Sequence, residues 1–210
     1  MLGLFELETY WLESSLSRLQ HALLMIVRTL CYAFLAHTVF AYTSNLVQVL
    51  DALPLEGLAG ACELADSGYS FLRNLAYTPI TADNCAALSQ GGALYPIGGD
   101  PVVTDAAGLA ELKTLYAVDV EDALTWLCVV LLIAWVIQAQ NRGVTAGPAI
   151  SIANGLTIAL YCVLVGNAVF WAVKGHWVYA WDELLWIGGF AAIEMNLSDW
   201  RHDIRDAAVT

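Results

Sequence analysis

Four stretches of this chain are long and apolar enough to cross a lipid bilayer as helices. They cover residues 21–50, 118–140, 149–173 and 177–200, and we number them spans 1 to 4 in chain order. A helix of about 20 residues rises roughly 30 Å, which is the thickness of the hydrocarbon core of a bilayer. The pattern therefore predicts an all-α integral membrane bundle of four transmembrane helices.

The N-terminal residues 1–20 have a different, amphipathic pattern. Leu4, Leu7 and Trp11 recur at helical spacing, and acidic residues interrupt the apolar surface between them. A helix of this kind lies in the membrane interface with its apolar face in the lipid. We therefore predict an interfacial amphipathic helix over residues 1–20, with a partner-binding helix as the alternative.

The segment between spans 1 and 2, residues 51–117, is too polar and too rich in proline and glycine to remain in lipid. Apolar residues at helical spacing predict a helix over residues 55–75. Thr104 or Asp105 is placed to cap a further short helix that runs through Tyr116. We therefore predict that the segment is mostly helical.

Basic residues predict the orientation of the bundle, because positively charged loops stay in the cytoplasm. With four spans, the loop at residues 141–148 and the tail at residues 201–210 fall on the cytoplasmic side with both termini. Residues 51–117 are then extracytoplasmic. The basic residues that favour this orientation are Arg18, Arg28, Arg142, Arg201 and Arg205.

The five cysteines divide into two groups. Cys62 and Cys85 lie in the predicted extracytoplasmic segment, where the compartment permits oxidation, so we predict a disulfide that ties the segment together. Cys31, Cys128 and Cys162 each lie in a different span, and we interpret them as small core residues.

Composition supports membrane insertion and argues against some partners. The chain is 59% hydrophobic and 13% charged, whereas soluble domains average about 45–50% and about 25%. Its formal net charge of −12 argues against nucleic acid and against docking on anionic lipid. We expect an integral protein of the bacterial inner (plasma) membrane, with the lipid bilayer as its first partner.

Span 4 is unusual because it carries three carboxylates, Asp182, Glu183 and Glu194. Glu183 and Glu194 are eleven residues apart, close to three helical turns, so they share one face. We expect Asp182 and Glu183 to reach water at the outer boundary. Glu194 lies deeper and needs a partner, which is either Arg28, Arg201 or a tyrosine, or a bound proton or cation.

Further acidic residues predict a negatively charged outer rim at the ends of spans 2 and 4, if these two spans are neighbours. Such a rim concentrates cations, although an ordinary solvated surface is the alternative interpretation. On span 1, His37 and Gln48 share a face and are candidates to line a path for ions. The rim consists of Asp119, Glu121 and Asp122 with Asp182 and Glu183.

Small residues predict where helices approach each other closely. Span 3 has a ridge of them at three- and four-residue steps, and span 4 has a second group, and such surfaces favour tight packing of transmembrane helices. The ridge is Gly155, Ala159, Cys162 and Gly166, and the second group is Gly188, Gly189 and Ala192.

No catalytic or cofactor motif accompanies these features, and we predict neither a cofactor nor a metal site. The leading hypothesis is a non-enzymatic subunit of a homo- or hetero-oligomeric membrane complex. The alternative is a cation- or proton-conducting oligomer whose path runs from the acidic rim past Glu183 to Glu194. A third hypothesis is an intramembrane metal-dependent enzyme that uses His37 and the carboxylates.

Overall fold

A computed structural model of the chain describes residues 18–58, 60–89 and 92–207. The predicted interfacial helix at residues 1–20 lies almost wholly outside them. Within them the chain forms two compact units. We call Val39–Glu121 the sheet unit and the described residues on either side of it the helical unit.

Four long helices account for most of the chain, and three of them contain stretches long and apolar enough to cross a membrane. The stretches are Met25–Leu50, Ala106–Gln140 and Pro148–Val173. The fourth helix, which bears the three carboxylates of span 4, is not among them. The helices are α1 at Arg18–Leu50, α3 at Ala106–Asn141, α4 at Pro148–Val173 and α5 at Trp177–Ala207.

The sheet unit corrects the prediction of a mostly helical segment, because it contains a four-stranded sheet in the order β2-β1-β4-β3. The central pair, β1 and β4, is parallel, and both outer pairs are antiparallel. A 3-10 turn at Ala61–Leu64 and a single helical turn, α2 at Cys85–Leu88, complete the unit. The strands are β1 at Ser70–Arg73, β2 at Ala76–Pro79, β3 at Leu94–Pro96 and β4 at Val102–Asp105.

The backbone explains why the helix predicted over residues 55–75 does not form. Asp66 and Gly68 have φ angles of 56° and 83°, which end any helix before residue 70. Asn74 and Leu75 follow at 47° and 60°, as a two-residue type I′ hairpin turn requires. The chain therefore turns back as a β-hairpin where the apolar spacing alone favoured a helix.

Strand β1 lies between two apolar cores, because successive side chains of a strand point to opposite faces. Phe71 packs with Val103 and Leu94 in the core that also contains Cys85. Leu72 packs on the other face, against Val49 of α1 and against Leu109 and Leu112 at the start of α3. The sheet is therefore covered by helix on one face and by the disulfide-linked turns on the other.

The predicted disulfide is confirmed. Cys62 in the 3-10 turn is bonded to Cys85 in α2, with the two Cα atoms 4.7 Å apart. The bond links the two short turns that cover one face of the sheet, the face that no long helix covers.

Helix α3 begins at Ala106 and continues to Asn141, so the predicted short helix and span 2 form one helix. Asp105 caps it, accepting a hydrogen bond from the backbone N–H of Gly108 at 2.7 Å, which confirms one of the two predicted caps. The other candidate, Thr104, donates instead to the Leu72 carbonyl at 2.7 Å. Arg73 holds the capping carboxylate in place through two contacts of 2.7 Å.

The helical unit is built around one apolar core shared by α3, α4 and α5. Side chains of α1 also pack partly against it, through Tyr32 and Leu35. The tightly packed members of this core are Val129, Val130, Ile133 and Ile137 of α3, Leu164 of α4, and Phe190 and Ile193 of α5.

Candidate functional site

The site begins with Glu183, whose side chain is buried in the helical unit with only 8% of its surface exposed. The indole N–H of Trp126, on α3, donates to its carboxylate, with Nε1 3.0 Å from Oε1 and 3.2 Å from Oε2. The Trp126 ring also packs against Phe190, at a centroid distance of 5.2 Å. Glu183 is thus held on the core-facing side of α5.

A second carboxyl group, that of Asp122, completes the site. Asp122 lies one helical turn before Trp126 on α3, and its carboxyl group interacts electrostatically with that of Glu183. Asn167 of α4, itself buried, donates from Nδ2 to Asp122 Oδ1 at 2.9 Å. We call Asp122, Trp126, Asn167 and Glu183 the polar layer, since they join α3, α4 and α5.

The polar layer can hold a proton. Asp122 and Glu183 interact electrostatically, and two neighbouring carboxylates repel each other when both are ionised, so one proton held by the pair removes the repulsion. Trp126 and Asn167 supply the neutral donors that the remaining oxygens need. The arrangement is therefore a carboxyl pair that can share, release and rebind one proton inside a helical bundle.

The structure corrects the expected exposure of Glu183. Its position near the start of the helix suggested a watery rim, but Ile187 and Phe190, which follow it on the same face, pack into the core. Its neighbour Asp182 is exposed, as expected for a rim residue. Of the five rim residues, the polar layer contains Asp122 and Glu183.

The other residues of the proposed ion path and rim lie at exposed or half-buried positions. His37 is exposed on α1, and Gln48 is exposed in the sheet unit. Asp119, half-buried, and Glu121, exposed, also belong to the sheet unit.

Glu194 lies half-buried, three turns along α5 from Glu183, and interacts electrostatically with Tyr161 of α4. The Tyr161 hydroxyl is buried and has no hydrogen-bond partner among the described residues. On the same face of α5, Ile187 and Phe190 separate the two glutamates, and Phe190 is almost completely buried. Apolar packing therefore fills the direct route between Glu183 and Glu194 within one chain.

The ridge of small residues on α4 faces away from the core. All four of its members are exposed, whereas Leu164, Ala168 and Trp171 of the same helix are buried. A methyl group added at Gly155 or Gly166 would meet no atom within 4 Å. In α5, Gly188 and Ala192 are exposed and Gly189 is half-buried. The ridge therefore does not pack α4 against another helix of the described chain.

Trp126 was not among the candidates identified from the sequence, although the structure places it in the polar layer. Its spacing of four residues from Asp122 placed both on one face of the helix, and the apolar residues Val129, Val130 and Ile133 continue that face into the core. Asn167 was likewise not among the candidates, and it joins α4 to α3 through its hydrogen bond to Asp122.

No family model, curated protein or solved structure matches this chain. Within residues 18–58, 60–89 and 92–207, no group of three or more His, Cys, Asp and Glu side chains is arranged to hold a metal ion.

Proposed function

We propose that this chain is a non-enzymatic membrane subunit that assembles with further copies of itself through α4. The observation that carries the proposal is the outward-facing ridge. Small residues allow two transmembrane helices to approach closely enough for extensive van der Waals contact and favour their association in lipid. A ridge on the outside of the helical unit offers this contact to a second copy.

The ridge has the geometry that such an interface requires. Gly155, Ala159, Cys162 and Gly166 recur every three or four residues, so they form one stripe along the helix. The larger exposed side chains of Leu156 and Val165 flank the stripe. Small residues between larger ones form a groove into which the side chains of a partner helix fit.

The proposal includes four spans, with α5 as the fourth and the termini in the cytoplasm. The sheet unit then lies outside the bacterial inner membrane, in a compartment where the Cys62–Cys85 disulfide persists. Helix α5 crosses beside α4, and the polar layer satisfies its Glu183 within the bundle. A carboxyl group in a membrane helix normally faces such an interior site.

The native cysteines test the interface without any added label. In lipid nanodiscs, mild oxidation is expected to link Cys162 to Cys162 of a second copy, because this residue lies on the ridge and is exposed. Cys162→Ser should abolish the covalent dimer. Cys128→Ser, which alters an exposed cysteine of α3, should leave it unchanged.

Bulk added to the ridge supplies the second arm of this experiment. Gly155→Leu should reduce cross-linking at least tenfold, because the leucine side chain holds the helices apart. Leu131→Phe adds bulk at an exposed position of α3, away from the ridge, and should have little effect. Equal cross-linking of wild-type and Gly155→Leu protein would contradict assembly through the ridge.

The polar layer favours a second candidate function, the binding and transfer of protons across the membrane. Because apolar side chains separate Glu183 from Glu194 within one chain, transfer would also need the oligomer or a movement of α5. In liposomes with a pH gradient, Glu183→Gln is expected to remove the proton flux, since glutamine cannot exchange a proton. Asp182→Asn, at the exposed neighbour, should preserve it. Absence of flux in the parent protein would eliminate this candidate.

A further inference from the structure

Aromatic side chains surround the turn that joins α4 to α5. Trp177, Tyr179 and Trp181 all expose half or more of their surface. They lie within five consecutive residues at the start of α5, so they occupy less than 10 Å along the helix axis, at about 1.5 Å per residue. The exposed rings therefore form a narrow band, which we call the aromatic band.

Hydrogen bonds and ring contacts fix the turn between α4 and α5, next to the aromatic band. Gly175 adopts a φ of 84°, and its N–H donates to the Ala172 carbonyl at 3.0 Å. The N–H of His176 donates to the Trp171 carbonyl at 2.9 Å, which gives the hydrogen-bond pair of a Schellman motif. The buried Trp171 ring meets His176 and Tyr179 edge-on, at centroid distances of 5.6 and 5.3 Å.

The exposed surface changes character with distance from the turn. Beyond the aromatic band, most of the large exposed side chains on the described part of α4 and α5 are aliphatic. Trp186, 41% exposed, is the aromatic exception there and lies near Phe190, at a centroid distance of 6.3 Å. Indole and phenol groups combine an apolar ring with a hydrogen-bond donor and favour the headgroup level, whereas aliphatic side chains favour the hydrocarbon. The aliphatic residues include Ile158, Val165 and Val169 of α4 and Leu184 and Leu185 of α5.

We infer that the aromatic band is a lipid-docking surface that seats the α4–α5 turn among the headgroups of one leaflet. The partner is the bilayer surface, because the change from aromatic to aliphatic follows the change from interface to hydrocarbon. The inference rests on the proposed fourth span, since α5 must enter the hydrocarbon beyond Trp181. Glu183 lies two residues further, about 3 Å deeper, so the polar layer lies directly beneath the headgroups.

Depth measurements with nitroxide labels test this surface. Labels are attached to Val178→Cys, within the aromatic band, and to Leu185→Cys, seven residues along α5; both native side chains are more than half exposed. The background replaces Cys31, Cys128 and Cys162 by serine and retains the disulfide. In phosphatidylcholine vesicles, oxygen and nickel-chelate accessibilities should place the Leu185 label roughly 10 Å deeper than the Val178 label.

A matched pair of variants tests the role of the rings. Trp177→Ser with Trp181→Ser should shift the Val178 label by several ångströms relative to the headgroups, whereas Trp135→Phe on α3 should not. Equal depths at Val178 and Leu185, or an unchanged depth in the double variant, would overturn the inference. An intact disulfide and unchanged helical circular dichroism confirm that each variant is folded.

The predicted depth difference and the predicted oligomer can be contradicted independently of each other. If the gradient is found but wild-type protein forms no Cys162 cross-link, the aromatic band stands and assembly through the ridge is wrong. If the cross-link forms but the Leu185 label is in water, the aromatic band and the fourth span are both wrong.

Discussion

Replacing both Cys62 and Cys85 by serine is expected to lower the free energy of unfolding of the sheet unit by about 3 kcal/mol. The disulfide closes a loop with a sequence separation of 23 residues, and the chain entropy of the unfolded state rises when that closure is lost. The change is measured by unfolding the full chain with urea in detergent and using protease cleavage within the sheet unit as the readout of unfolding.

The free cysteines provide a matched control for the disulfide. Cys31→Ser with Cys128→Ser changes two thiols that form no disulfide and should leave the resistance of the sheet unit to proteolysis unaltered. An equal loss of protease resistance in the control variant would show that serine substitution itself perturbs the protein. Free thiols at Cys62 and Cys85 in the membrane-embedded native protein would also argue against an extracytoplasmic sheet unit.

Gly108→Ala is expected to destabilise the sheet unit by about 1–3 kcal/mol, in the range typical of overpacked sites. The added methyl group would overlap the hydroxyl of Thr104, which is buried and bonded to the Leu72 carbonyl. Its other neighbours, Arg73 Nε and Asp105 Oδ1, lie 3.3 Å away and belong to the helix cap. In the same urea titration, the sheet unit of the variant should reach half-unfolding at a lower urea concentration than that of the wild type.

Two further variants locate the cause of that loss. Gly99→Ala adds the same methyl group in open space and should be nearly neutral. Thr104→Ala removes the overlapping hydroxyl, so its cost and that of Gly108→Ala should be less than additive when combined. Strict additivity of the two costs would contradict the predicted steric conflict.

The glutamate that the helices enclose is Glu183 rather than Glu194. Helical spacing correctly put Glu183 and Glu194 on one face of a helix, but their positions along the helix suggested that Glu183 is solvated and Glu194 enclosed. In the structure, Glu183 is the more deeply buried and is bonded across two helices, whereas Glu194 is half-buried near Tyr161. A position near a helix end does not establish exposure when a neighbouring helix covers it.

The small-residue ridge shows a similar limit. Its spacing indicated a surface suited to close approach, yet the residues that pack α4 into the core, including Leu164 and Trp171, lie on the opposite face. Periodicity identifies the residues that share a face of a helix but carries no information about what that face meets. The outward direction of the ridge is therefore what makes assembly between copies a physical proposal.

Features that depend on neighbouring residues could be predicted from the sequence of this chain. Length and hydropathy identified apolar helices, Asp105 was recognised as a possible cap, and the two cysteines of one segment predicted their bond. The sheet could not be predicted in this way, because β1 pairs with β4, and Ser70 lies beside Val102. The polar layer likewise joins Trp126 to Glu183, 57 residues apart. Such contacts form because distant segments bury their apolar surfaces together, and local spacing does not encode which segments meet.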